Sequence, residues 1–125
     1  MKHIESKLQQ NIVKYLRANK VFVFAVGNGG RRNKIEAKIM NGEGVLAGVS
    51  DLIILLPKRT VFVEIKKEDV IYENGKKIIK KTYQNKNQKI FESNVVKLGF
   101  EYYIWRSLDD AINFVRSLDN INKPC

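Results

Sequence analysis

The run Gly48-Val49-Ser50-Asp51-Leu52-Ile53-Ile54-Leu55-Leu56 continues through Pro57-Lys58-Arg59 into Thr60-Val61-Phe62-Val63-Glu64-Ile65-Lys66. A lone acid opens the first apolar strand, and a Glu-x-Lys triplet closes the second. If the chain turns on Pro57-Lys58, residues whose numbers sum to 115 face each other, and Asp51 and Glu64 are such a pair. Side chains two apart on a strand share a face, so Lys66 stands on Glu64's face beside Asp51. A three-residue turn would shift this register. In the two-residue reading, two carboxylates and one lysine converge at one end of a hairpin.

That set suits phosphodiester hydrolysis. Mg²⁺ is a hard cation that takes carboxylate, carbonyl and water oxygens, and Mn²⁺ is expected to substitute for it. Asp51 and Glu64 are the candidate ligands, and the Ile65 backbone carbonyl between Glu64 and Lys66 is a third candidate oxygen. Such an ion polarises a phosphoryl oxygen and lowers the pKa of bound water. Lys66 can steady that water or offset developing charge. The competing reading is that Asp51 merely begins a strand while Glu64 and Lys66 cap an edge.

Around the hairpin, composition narrows the partners. The chain has 125 residues, 44% hydrophobic and 29% charged, as expected of one globular domain over 1–125. Twenty-three Lys and Arg against 13 Asp and Glu give a net charge of +10, which points to a polyanion, most commonly nucleic acid. No apolar run approaches ~18 residues, so no membrane span is expected. The N-terminus lacks the apolar core of a secretory signal. A single cysteine, Cys125, excludes internal disulfides and cysteine-rich zinc sites. An intracellular, cytoplasmic protein is expected. Gly27-Asn28-Gly29-Gly30 lacks the G-K-[ST] ending of a phosphate loop, so no nucleotide cofactor is expected.

Ile4, Leu8, Ile12 and Leu16 repeat at helical spacing over 3–18. Lys20 to Val26 reads as a strand, Gly27 to Arg32 as a basic loop, and Lys34 to Met40 as a short helix capped by Asn33. The strand from Asp51 to Leu56 is apolar on both faces and belongs inside a covered sheet. Asn74-Gly75 is a two-residue turn signal. Pairing about it sets Ile71 against Ile78, Asp69 against Lys80 and Glu68 against Lys81, in a basic hairpin spanning about 68–83. Asn85 to Leu98 is a helix with Phe91, Val95 and Leu98 facing inward, followed by Gly99. Phe100 to Trp105 is a last strand. Ser107 and Asp110 form a candidate capping box for a final helix, and about 120–125 is a frayed tail. Most of Tyr72, Tyr83, Tyr102, Tyr103 and Trp105 are expected to pack in the core.

This order resembles, over nearly the whole chain, a stand-alone, phage-type virus-type replication-repair nuclease (VRR-NUC) domain, a branch of the PD-(D/E)xK nucleases. The resemblance is carried by Glu5 in the first helix, Gly29-Gly30 before Arg31, and Gly44-Val45-Leu46-Ala47-Gly48-Val49-Ser50-Asp51-Leu52. Glu64-Ile65-Lys66 and Gln84-Asn85-Lys86-Asn87-Gln88 complete it. It implies an α/β fold with a restriction-endonuclease-like core, a mixed central β-sheet flanked by helices, plus the extra basic hairpin. It also implies catalytic roles for Glu5, Asp51, Glu64, Lys66 and Gln88, with Glu5 reaching the site through water or a second ion. The competing reading of Glu5 is a solvated helix-start acid, and that of Gln88 a helix cap. Ser50 stands where the family often has proline, which should loosen the turn.

Arg31, Arg32, Lys67, Lys76, Lys77, Lys80, Lys81, Gln84 and Lys86 are the candidate DNA contacts. Such contacts add affinity without reading sequence. The resemblance further implies a homodimer cutting four-way (Holliday) junctions in the cytoplasm of a phage-infected or prophage-bearing host. Flap or single-strand trimming in DNA repair, and a DNA-binding subunit that cuts nothing, are the competing functions.

Overall fold

A computed structural model describes residues 2–27 and 34–122, with side chains over 5–27 and 34–119. The elements are α1 (Lys2–Ala18), β1 (Phe22–Ala25), α2 (Lys34–Gly42), β2 (Leu52–Leu56) and β3 (Arg59–Ile65). They continue with β4 (Glu68–Glu73), β5 (Lys76–Lys81), α3 (Lys86–Lys97), β6 (Glu101–Trp105) and α4 (Leu108–Asn122).

The central hairpin forms in the register set by its two-residue turn, with Leu52 opposite Val63 and Leu56 opposite Arg59. Proline holds its own φ negative, while Lys58 takes a φ of 61°, the sign pattern of a type II turn. Sheet order is β1-β2-β3-β6. β1 and β3 pair antiparallel with β2, and β6 pairs parallel with β3, so the sheet is mixed. The doubly apolar β2 is interior, as its composition requires.

One face of the sheet presents Val23, Leu52, Ile54, Val61, Val63, Ile65 and Trp105. These pack with Ile12 and Leu16 of α1 and Ala111, Phe114 and Val115 of α4 in one buried cluster. Fully burying a side chain of this size contributes roughly 1.5–3 kcal/mol, so this layer holds the sheet rigid beneath the site. On the opposite face, Phe91 of α3 meets Phe62 edge-on at 5.4 Å and Tyr102 at 6.3 Å. Asp51 and Glu64 belong to this second face.

β4 and β5 form a separate two-stranded sheet in the expected register, including Glu68 opposite Lys81, Asp69 opposite Lys80 and Ile71 opposite Ile78. Among the described residues it packs against no other helix or strand. Its character is less basic than β5 alone suggests. Three of the four lysines of β5, Lys76, Lys80 and Lys81, face Glu73, Asp69 and Glu68 of β4, while Lys77 faces Tyr72, and Lys81 lies 3.8 Å from Glu68.

Several expectations are corrected. β1 is confined to Phe22–Ala25. Leu98 is 74% exposed, because α3 ends before it and β6 begins only at Glu101. Ser50 does not loosen its turn. It is fully buried, and its hydroxyl donates to the Leu52 carbonyl at 3.2 Å. The Asp110 half of the Ser107–Asp110 capping box forms: its carboxylate accepts from the Ser107 N–H at 3.3 Å and also from the Arg106 N–H at 2.8 Å. Tyr72 and Tyr83 are 72% and 71% exposed, whereas Trp105 is buried. α4 continues to Asn122, beyond where fraying was expected. Gly29, Gly30, Arg31, Arg32, the Asn33 cap and residues 123–125 lie outside the described residues. Among those described, no helix is long and apolar enough to cross a membrane.

Candidate active site

The site forms where the central ladder ends. Asp51 sits one residue before β2, and its carbonyl accepts from Val26 N at 3.0 Å, extending the β1–β2 pairing by one step. Its carboxylate accepts from Ile65 N at 2.8 Å across the hairpin. Glu64, near the end of β3, occupies the register position opposite Asp51. It is only 2% exposed.

Lys66 follows β3 directly. Its backbone N–H donates to the Trp105 carbonyl at 3.0 Å, prolonging the β3–β6 alignment, and its Nζ lies 3.7 Å from Glu64 Oε2. Gln88 approaches from the helix above. Asn85 and Gln88 form a capping box, each side chain accepting from the other's backbone N–H at 2.9 Å. The same Gln88 amide donates to Glu64 Oε2 at 2.7 Å. The capping and site readings of Gln88 therefore coexist: its oxygen caps the helix, and its nitrogen serves the carboxylate.

Electrostatically the pair of acids is under-compensated. Burial, reinforced by the Asp51 charge, pushes the Glu64 carboxyl up to about 8. Burial also raises Asp51, against the Ile65 N–H and Lys66, and Glu5 adds to the rise. Glu64 Oε1 is buried without a hydrogen-bond partner. An orphaned carboxylate oxygen beside a second acid is unfavourable unless a proton or cation joins it. The donor set therefore fits a hard divalent cation held by Asp51 and Glu64.

Glu5 is placed differently. Its Oε2 accepts from Lys67 N at 3.2 Å and Thr82 Oγ1 at 3.4 Å, at the root of the β4–β5 hairpin. Among the described residues, no three His, Cys, Asp or Glu side chains are grouped to hold an ion. Glu5 thus adds charge near Asp51 without completing a three-carboxylate cage.

Gln84 precedes the N-cap of α3, so it does not share Gln88's helical face, and its amide donates to the Tyr102 hydroxyl at 3.0 Å. Burial pushes that hydroxyl up to about 12, leaving it a neutral brace between Gln84 and the sheet. Lys67 pairs with Asp69 at 3.4 Å. Lys76, Lys77, Lys80 and Lys86 are exposed.

Three residues outside the expected set also shape the site. Thr82 closes the hairpin root through its N–H and hydroxyl, both donating to the Lys67 carbonyl. Arg106 donates to that carbonyl at 3.4 Å and stacks over Tyr83 at 5.3 Å. Gly48, with φ of +89°, lies so close to Asn87 and Gln88 that a Cβ would overlap the helix backbone. A glycine before a strand signals such an approach, but nothing local signals Thr82 or Arg106. Two cavities meet at Asp51, one of about 650 Å³ along α1 and one of about 520 Å³ between α2 and α3.

No protein-family model matches the chain, and no curated protein matches it. Among solved structures, one described as a VRR_NUC domain protein is similar, with a TM-score of 0.59 and 19% sequence identity. The match covers 90% of this chain and 85% of that one. The mixed sheet and its flanking helices thus compose a fold similar to that of this VRR_NUC domain protein.

Proposed function

We propose that this chain is a Mg²⁺-dependent DNA endonuclease, a homodimeric four-way-junction resolvase that leaves 5′-phosphates. The observation carrying this reading is the under-compensated apposition of half-buried Asp51 and buried Glu64, with Lys66 3.7 Å from Glu64. Asp51, Glu64 and the Ile65 carbonyl would hold the ion, and Mn²⁺ would serve in its place. When bound, it supplies Lewis-acid polarisation of the phosphoryl oxygen and lowers the pKa of water.

The chain's own groups account for positioning and charge. Gln88, fixed by its capping box, holds Glu64 in one orientation. The Ile65 N–H does the same for Asp51. Lys66 donates towards the attacking water or a phosphoryl oxygen, where negative charge builds. Water bonds to phosphorus as the bond to the 3′ oxygen breaks, giving a 3′-hydroxyl and a 5′-phosphate. Arg31, Arg32, Lys67, Lys76, Lys77, Lys80, Lys81 and Lys86 contribute phosphate contacts, which orient the duplex without reading sequence. Two sites related by a two-fold axis match the symmetry of a four-way junction.

The test is cleavage of a four-way junction, a 5′ flap, a 3′ flap and plain duplex, with Mg²⁺, Mn²⁺ or EDTA. Paired symmetric cuts confined to the junction, from a protein of dimeric mass, are expected. Cuts mainly on flaps would move the activity to repair trimming. No metal-dependent product, with binding intact, would leave a DNA-binding subunit. Lys66→Ala is expected to lower the cleavage rate by about 10²–10³-fold while DNA affinity stays within about twofold; equal loss of both would remove Lys66 from the chemistry.

A further inference from the structure

The cavity of about 650 Å³ along α1 is lined by Gln9, Gln10, Lys14 and Arg17, and shares Glu5, Asp51 and Ile65 with the candidate active site. Gln10, Lys14 and Arg17 recur at helical spacing on one face of α1. Lys14 and Arg17, three apart, are like charges that repel. Among the described residues neither belongs to an ion pair. Arg17 has a partial structural role, donating to the Val23 carbonyl at 3.3 Å. Lys14 makes no hydrogen bond or ion pair among the described residues. The second cavity at Asp51, between α2 and α3, has no charged lining residue other than Asp51 itself. Among the described residues that line these two cavities, the cationic side chains therefore belong to the one along α1.

Resting on the nuclease reading above, we propose that the α1 groove is a phosphate subsite for the scissile strand on one side of the cut. Lys14 and Arg17 contact backbone phosphates, and Gln9 and Gln10 donate to neighbouring phosphate or sugar oxygens. A rise of 1.5 Å per residue places Lys14 roughly 13 Å and Arg17 roughly 18 Å along the helix from Glu5. At about 3.4 Å per nucleotide along a duplex axis, that is some four to five nucleotides from the Glu5 end of the groove.

The experiment is fluorescence anisotropy of a labelled branched duplex in EDTA with wild type, Lys14→Gln and Lys14→Gln/Arg17→Gln. Each substitution is expected to raise Kd about three- to tenfold and to flatten the salt dependence by about one unit of slope. Lys14→Gln alone decides the matter, because glutamine preserves helix propensity and Lys14 supports no fold contact. An unchanged Kd and slope for that variant overturn the subsite. Cleavage then locates it, using strands truncated to about three nucleotides on the 5′ or the 3′ side of the mapped cut. On full-length substrate the variant should show raised KM with kcat intact, and this difference should vanish for one truncation only. An equal penalty on both truncated forms overturns the proposal, since the charge would then act on DNA at large. If wild type binds but cuts nothing, the nuclease reading falls, while the anisotropy still decides the subsite.

Discussion

Glu64→Gln is expected to raise the melting temperature of the metal-free protein at pH 8 by about 3–8 °C and, on the proposed nuclease reading, to lower cleavage by about 10³-fold. The stability gain follows from the site's electrostatics. Glu64 is buried beside Asp51, its carboxyl is raised to about 8, and one of its oxygens has no partner. An amide of the same shape removes the buried charge and can donate to Asp51. Replacing an under-compensated buried charge by a neutral isostere commonly stabilises by about 1–2 kcal/mol. The loss of cleavage follows because the same substitution removes an anionic ligand from the donor set.

A pH dependence accompanies this prediction. In the folded chain Glu64 keeps its proton to about pH 8, whereas a carboxyl in the unfolded chain releases it near its ordinary value of 4.5. Across that window unfolding releases a proton, so raising the pH favours the unfolded state. Asp51 is shifted in the same direction. In EDTA, wild-type melting temperature should therefore fall from pH 5 to pH 8, and the slope should be shallower in Glu64→Gln. Added Mg²⁺ should stabilise wild type more at pH 8 than at pH 5, because ligand carboxylates must be deprotonated. Melting curves at three pH values, with and without metal, check this. A wild-type curve flat with pH, or a Glu64→Gln protein less stable than wild type, would remove the electrostatic account.

Gly48→Ala is expected to destabilise the fold by about 2–4 kcal/mol and to depress kcat even where the protein remains folded. The backbone at Gly48 has φ of +89°, which opposes any L side chain, and an added Cβ would overlap the Asn87 carbonyl and lie 2.8 Å from Gln88 N. All of these atoms are helix backbone, so the start of α3 must move. That displacement reaches the chemistry through Gln88, whose nitrogen holds Glu64 at 2.7 Å and whose oxygen caps the same helix. Melting temperature and single-turnover cleavage, measured below the variant's melting transition, separate the two effects. Wild-type stability with wild-type cleavage would show that α3 tolerates the shift and that its docking does not set the site.

Comparison of the two hairpins shows how far local chemistry reaches. Pro57-Lys58 and Asn74-Gly75 are two-residue turns, and each ladder formed in the register those turns impose. The apposition of Asp51 and Glu64 follows from that register. Burial was less legible. Leu98 continues an apolar periodicity yet lies outside because α3 stops short of it, and Tyr72 sits on a hairpin that, among the described residues, no other helix or strand covers. Glu5 shows the same limit. Its helix was evident from spacing, but its carboxylate is set at the hairpin root by Lys67 and Thr82, more than sixty residues away in sequence.

From the chain alone came the order of helices and strands, the strand pairings across both hairpins, the apposition of Asp51 and Glu64 with Lys66, and a positive charge that favours a polyanionic partner. Each depends on side-chain period, turn chemistry or charge within short separations. Only the tertiary structure decided that Gln88 bridges helix cap and Glu64, that Gly48 admits α3 to the sheet, that Glu5 stands apart from the donor pair, and that Lys14 and Arg17 share a groove with Asp51. Those relations join segments distant along the chain, and they are set by how helices dock on the sheet, which no local pattern encodes.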